Sequence, residues 1–177
     1  EGDSEGWRLI NARIASNDDD VMLVTKQGRA IRFKATDVRV FNSRASTGVR
    51  GIKLGNDDEV VSMSIIRHFE AEAPERAAYL KQRRLMAGAP EEEVDTDEEE
   101  VAEGQLSQER YAEMSAAEDL ILTITSGGLG KLSSSHDYPL RGRGGQGVMA
   151  IDKAKRGGTL VASFPVDLDD QIMLATS

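Results

Sequence analysis

Asp19-Asp20-Val21-Met22-Leu23-Val24-Thr25 returns 100 residues later as Asp119-Leu120-Ile121-Leu122-Thr123-Ile124-Thr125, and again 51 residues after that as Asp170-Gln171-Ile172-Met173-Leu174-Ala175-Thr176. Each copy is an acidic turn leading into an apolar run that ends in threonine. Self-similarity at this spacing marks a chain built from stacked like units. The two intervals differ by 49, close to the 53 residues of the acidic stretch from Arg67 to Asp119. The repeat is therefore about 50 residues long, with an insertion in one copy. Other landmarks keep the same phase: Gly28 with Gly128, Val60-Val61 with Leu160-Val161, and Gly48-Val49-Arg50-Gly51-Ile52 with Gly144-Gly145-Gln146-Gly147-Val148. Leu9-Ile10 takes the matching place in an earlier copy, so the chain reads as a slice of a longer array.

Within each copy the pattern is that of strands. Residues 21–25 are a short β-branched run closed by Gln27-Gly28, which suits a strand and a hairpin turn. Residues 30–34 alternate, which predicts Ile31 and Phe33 on one face and Arg32 and Lys34 on the other, solvated one. Residues 51–54 and 60–66 supply two more strands around Asn56-Asp57-Asp58, and a further strand is expected over 148–151. No amphipathic helix separates the strands, which excludes an α/β fold. The expected class is all-β: propeller or pinwheel blades of about four antiparallel strands, with a helical and disordered acidic insertion. The expected division is 1–15, the end of a preceding blade; 16–66, a blade; 67–119, the insertion; 120–166, a blade; and 167–177, the start of the next.

The insertion has its own signals. Residues 74–87 are rich in helix formers, with Pro74 suited to a first turn and Gly88 placed to end the helix. Residues 91–103 are an acidic run with little to bury, expected to be disordered. A second short helix is predicted over 108–117 with Ser107 as its N-cap. Two readings stay open, a solvated arm or a segment that docks a partner or inhibits the basic blades. On either, removal of 67–119 is expected to leave the blades intact.

The formal net charge of −9 conceals a segregation. The insertion carries 6 basic and 16 acidic residues, which leaves the remainder at +1. Residues 26–53 hold eight basic side chains (Lys26, Arg29, Arg32, Lys34, Arg39, Arg44, Arg50, Lys53) against Asp37 alone. Residues 126–156 hold six, among them Lys131, Arg141 and Arg143, against two acidic ones. A basic edge recurring from blade to blade suits a curved phosphate backbone, gripped by charge and shape. A plainer reading, that the cations only solubilise a β surface, stands beside it. The candidate contacts are Arg29, Arg32, Lys34, Arg39, Arg44, Arg50, Lys53, Lys131, Arg141 and Arg143.

Catalytic chemistry finds no foothold. The chain has no cysteine, which excludes disulfides, thiolate metal sites and thiol nucleophiles and fits a reducing compartment. His68 and His136 have neither triad nor metal-ligand spacing, and Asp57-Asp58-Glu59 and Asp169-Asp170 read as turn carboxylates. Gly142-Arg143-Gly144-Gly145-Gln146-Gly147 satisfies G-x-G-x-x-G, but that motif needs a following helix N-terminus to meet a pyrophosphate, and a strand follows here. The segment is open to two uses, a tight basic loop or turn geometry alone. Trp7 reads as core. No apolar run reaches the ~18 residues of a membrane span and no signal-peptide pattern opens the chain, so a soluble cytoplasmic protein without membrane partners is expected.

Residues 24–33 (VTKQGRAIRF), 47–52 (TGVRGI) and 169–173 (DDQIM) strongly resemble the repeats of the C-terminal domain of the A subunit of DNA gyrase. The resemblance takes in everything outside the insertion. It implies a six-bladed β-pinwheel in which strands pass between blades and a basic rim wraps double-stranded DNA. It also implies a parent type IIA topoisomerase that introduces negative supercoils, an A2B2 assembly of gyrase A with gyrase B, and a bacterial, nucleoid-associated cytoplasmic location. ATP and Mg would serve the parent complex, with no cofactor, metal or catalytic residue in this segment. Against the family's Q-R-R-G-G-R-G box, Arg143, Gly144, Gly145 and Gly147 match, while Arg141, Gly142 and Gln146 depart from it, so the stretch reads as a blade loop. Two alternatives remain: the related domain of the topoisomerase IV A subunit, and a propeller-type protein-interaction scaffold that never touches DNA.

Overall fold

The threonine that closes each apolar run explains why the repeat recurs. In the computed structural model, which describes residues 8–43, 45–88, 106–155 and 157–175, Thr25 and Thr125 are buried at the same turn. The Gly28 amide donates to the Thr25 carbonyl at 2.9 Å and the Gly128 amide to that of Thr125 at 3.0 Å. Each threonine hydroxyl accepts the amide that follows the turn, from Arg29 at 3.1 Å and Leu129 at 3.2 Å. Gly28 and Gly128 sit at φ +94° and +81°, a region that side chains with a Cβ rarely enter. The acidic turns repeat too: Asp19 accepts the Ser16 amide at 2.6 Å, and Asp170 that of Asp167 at 2.8 Å. Trp7, Arg44, the acidic run 91–103 and Thr176 lie outside the described residues.

The strands are β1 (Asp19–Thr25), β2 (Arg29–Lys34), β3 (Val60–Arg67), β4 (Leu120–Thr125), β5 (Gly130–Ser134), β6 (Val148–Met149) and β7 (Leu160–Val166). The insertion supplies helices α1 (Ala73–Met86) and α2 (Gln108–Ala116). The strands form two antiparallel sheets, one ordered β3-β1-β2-β6 and the other β5-β4-β7. Corresponding hairpins share a register, with Val24 opposite Ala30 and Ile124 opposite Gly130. Both sheets shift register at the threonine, at Val24/Thr25 against β3 and at Ile124/Thr125 against β7. This is the expected all-β, blade-type architecture with a helical insertion.

Three expectations are corrected. Residues 51–54 form no strand. The strand expected over 148–151 is shorter, and β6 leaves its own repeat to pair with β2 of the first, Ala30 opposite Val148 and Arg29 opposite Met149. Gly51-Ile52, the counterpart of Gly147-Val148, instead packs on its own sheet, Ile52 lying with Val21, Ile31 and Phe33. The third apolar run, 171–175, forms no strand and has no partner strand among the described residues; backbone ladder bonds need a neighbour.

The core explains a further error, in the solvated face assigned to β2. Met22, Val24 and Ala30 pack with Ile121, Tyr138 and Leu160 of the second blade in one cluster, while Val21, Ile31, Phe33 and Ile52 form another. Both faces of the first sheet are thus covered, one by the neighbouring blade and the other by the 50–53 segment. Alternation predicts a wet face only for a sheet buried on one side.

Nor is the insertion, where described, a solvated arm. A capping box between Glu72 and Glu75 starts α1, and the Ser107 hydroxyl accepts the Arg110 amide at 3.1 Å to start α2. Tyr79 of α1 and Met114 of α2 are 0% exposed. They close over the short 3-10 turn Ser135–Asp137, where the ring of His136 lies 5.0 Å from that of Tyr79. His136 Nε2 donates to the Met114 carbonyl at 2.8 Å, which fixes the tautomer of the neutral ring.

A candidate nucleic-acid interface along the outer edge of β2

The chain from Leu140 to Met149 runs beside β2. It starts at a bridge between Leu140 and Arg32 and ends at the β6 pairing, with the glycine-rich loop in between. The Arg141 amide donates to the Arg32 carbonyl at 2.8 Å. The loop docks on the 50–53 segment: the Gly144 amide donates to the Gly51 carbonyl and the Lys53 amide to that of Gly145, each at 2.8 Å. Gly147 explains one of the glycines. It stands at φ +68°, and a Cβ there would lie 2.2 Å from the Ala30 carbonyl oxygen, so only glycine lets the loop close onto β2.

This docking gathers cations from both repeats. Arg50, Lys53 and Arg141 are exposed around the loop. Arg143 is half-buried and spends its guanidinium on the fold, Nε donating to the Asp37 carbonyl at 3.0 Å and Nη1 to the Arg50 carbonyl at 2.6 Å. Arg39 is exposed next to that contact, its guanidinium 4.6 Å from the centre of the Phe41 ring. At the far end of the edge, half-buried Arg29 lies opposite Met149, and Lys131 Nζ reaches across from β5 to the Ala150 carbonyl at 3.0 Å. Arg44 is outside the described residues.

Two more expected contacts have other employment. Arg32 is 2% exposed and cannot meet a phosphate. Its Nε donates to Asp20 Oδ2 at 2.7 Å, Nη1 to the Ser135 carbonyl and Nη2 to the Arg67 carbonyl, both at 3.0 Å. His68 Nδ1 lies 2.8 Å from the other Asp20 oxygen. Lys34, at the end of β2, is half-buried and ion-paired to the exposed carboxylate of Glu70 at the root of the insertion. That pairing raises the Lys34 pKa and lowers that of Glu70, in both cases chiefly through their hydrogen bond.

Sequence reasoning missed the polar junction where blade, blade and insertion meet. The Arg67 amide donates to Asp119 Oδ2 and its Nη1 to the Ala116 carbonyl, both at 2.7 Å, so the two ends of the insertion are clasped together. Burial lowers the His136 pKa and raises that of neighbouring Asp137. The available signal was an arginine set among aliphatics on a strand whose partner carries Asp20 at its start, after Asp19. Among the described residues, no group of three or more His, Asp or Glu side chains is placed to hold a metal ion, and no helix is long and apolar enough to cross a membrane.

Comparison with known proteins follows the same outline. A family model described as DNA gyrase C-terminal domain, beta-propeller, matches residues 19–67 and 119–167, the two blades on either side of the insertion. The DNA gyrase A subunit of Granulibacter bethesdensis is 46% identical over 185 residues, taking in 97% of this chain and 20% of that protein. That of Rickettsia bellii is 39% identical over 176 residues, 98% of this chain and 19% of that protein. A solved DNA gyrase A C-terminal domain gives a TM-score of 0.49 at 20% identity, over 88% of this chain and 34% of that one. The chain thus spans about a fifth of the length of these curated relatives.

Proposed function

The chain belongs to the DNA gyrase C-terminal domain family, and from that premise we propose that it is a DNA-binding and DNA-wrapping module of a gyrase A subunit. The observation that carries the reading is the gathering of Arg39, Arg50, Lys53 and Arg141 around one loop at the outer edge of β2, with Arg29 and Lys131 further along it. Among the described residues this edge carries no helix and few aromatic side chains for stacking, so binding rests on the phosphate backbone and on bending of the duplex. The whole protein's activity is part of the same proposal: ATP-dependent negative supercoiling by a bacterial type IIA topoisomerase. In it this segment bends DNA, while ATP, Mg, gyrase B and an A2B2 assembly lie outside it. The location that goes with this work is the nucleoid-bearing cytoplasm.

The test is a salt titration of duplex binding by the chain and by an Arg39→Gln, Arg50→Gln, Lys53→Gln variant. Each phosphate no longer neutralised lowers the slope of log K against log salt by about 0.9, so the triple variant is expected to lose close to 2.7. An unchanged slope refutes the edge as a phosphate track and favours a protein-interaction scaffold.

A further inference from the structure

We infer that the helical insertion is a brace that sets the angle between the two blades, and through it the curvature the rim imposes on bound DNA. The second half of that statement rests on the DNA-wrapping reading; the first does not.

The blades share the core cluster of Met22, Val24, Ala30, Ile121, Tyr138 and Leu160, exchange β6 onto β2, and pack β3 of the first sheet against β7 of the second along one seam. There the hydroxyls of Ser62 and Ser64 both donate to the Ser163 carbonyl. Rotation of one blade against the other is resisted most by attachments far from the β3–β7 seam. Arg32 provides one. It stands on β2, two strands from β3, and bonds the Ser135 carbonyl in the turn after β5, two strands from β7. At about 4.8 Å per strand, the tie lies roughly 10 Å off the seam on both sheets.

The Ser135–Asp137 turn is what the insertion grips. Arg76 of α1 donates to the His136 carbonyl at 3.3 Å, His136 donates to the Met114 carbonyl of α2, and the Phe69 and Tyr79 rings stand edge-on to the imidazole at 5.5 and 5.0 Å. Ser135 itself is clamped from the other side, its hydroxyl accepting the Asp119 amide at 3.0 Å. The helices are locked to each other by Arg110 on Glu75 at 2.9 Å and by the Tyr79–Tyr111 ring pair at 4.9 Å. An insertion with only solvent to face would need none of this.

The absence of cysteine makes the test clean, since spin labels at Thr36→Cys on the first blade and Val161→Cys on the second report one distance. In the Tyr79→Ala, Met114→Ala variant the distance distribution is expected to widen measurably beyond that of the wild type. The conservative Tyr79→Phe, Met114→Leu variant should restore the narrow distribution. On DNA, the alanine variant is expected to constrain less linking number per bound molecule at an unchanged salt slope, because neither residue can reach a phosphate. A distribution that coincides with wild type overturns the brace. Should the alanine variant fail to fold, amide exchange of the unmodified chain decides: α1, α2 and residues 134–138 exchanging as one protected unit supports it, and helices exchanging as freely as surface loops overturns it. A chain that binds no duplex refutes the function proposed above, and the label distances still decide the brace.

Discussion

Arg32→Met separates a cation that holds the fold from one that meets a partner. The change keeps volume and removes three donated hydrogen bonds, to Asp20, Ser135 and Arg67, from a site 2% exposed. Asp20, at 0% exposure, is left with His68 as its remaining side-chain partner. Breaking a buried ion pair by removing one member costs about 3–5 kcal/mol, whereas truncating a surface lysine or arginine moves stability by less than about 0.5 kcal/mol. With a urea dependence near 2 kcal/mol per molar, the unfolding midpoint should fall by roughly 1.5–2.5 M. Adding Asp20→Leu should recover most of that loss, since an apolar pair of similar volume replaces a buried ionic one at little cost. Urea melts followed by circular dichroism measure both. A midpoint within about 0.5 M of wild type, together with a duplex-binding salt slope lowered by about 0.9, would refute the burial argument and return Arg32 to the rim.

Two further outcomes are expected. Burial holds His136 neutral in the folded chain, its pKa below the unfolded value near 6.5, so the unfolded chain takes up the proton first on acidification. Stability is therefore fully present above about pH 6.5 and is lost as pH falls from there through the folded value, at up to about 1.4 kcal/mol per pH unit. Asp137, raised by burial, acts with the opposite sign in a lower window just above its ordinary value. His136→Gln, which can still donate to the Met114 carbonyl, should flatten the upper window in melts at stepped pH; a wild-type chain insensitive between pH 6.5 and 5 would contradict the assignment. Glu70→Gln should free Lys34 for phosphate, tightening duplex binding at low salt and steepening the salt slope by about 0.9, with Lys34→Gln in the same chain cancelling the gain. An unaltered slope in Glu70→Gln would remove Lys34 from the DNA path.

What the sequence reveals, and what it hides, follows from the range of the forces involved. The repeat, the turns and the helix starts are local. Thr25 and Gly28 make their bonds within a few residues of each other, and Ser107 caps its own helix, so the pattern carries the outcome. The β2 face was misjudged because its burial is decided by Ile121, Tyr138 and Leu160, about a hundred residues away, and alternation cannot say what covers a sheet. The passage of Val148–Met149 to the first sheet was hidden in the same way: a two-residue strand looks alike in either sheet, and only the close approach of Gly147 to Ala30 selects one. Around the rim, composition identified the right neighbourhood but could not apportion its cations. Arg32 and Arg143 are committed largely to carbonyl oxygens and carboxylates of the fold, and Lys34 to Glu70. Arg39, Arg50, Lys53 and Arg141 present exposed side chains.

The same apportioning applies to the insertion, whose charge and whose bracing reside in different residues. Of its 16 acidic side chains, nine fall between Glu91 and Glu103, a stretch with no basic residue. The remaining seven share the described roots with all six basic ones, so the roots are nearly neutral and the acidic run carries −9. Near neutrality at the roots is visible as pairing: Arg67 with Asp119, Arg83 with Glu118, and Arg110 with Glu75 and Glu113. Removing 67–119 as one piece therefore does two things at once. It withdraws the nine acidic side chains of the run from the chain, which favours DNA. It also takes away Tyr79 and Met114, which pack the insertion onto the 135–137 turn of the second blade, and the clasp between Arg67 and Asp119. Against the expectation that the blades survive such a removal stands the burial of Tyr79 and Met114, which makes the insertion part of the fold.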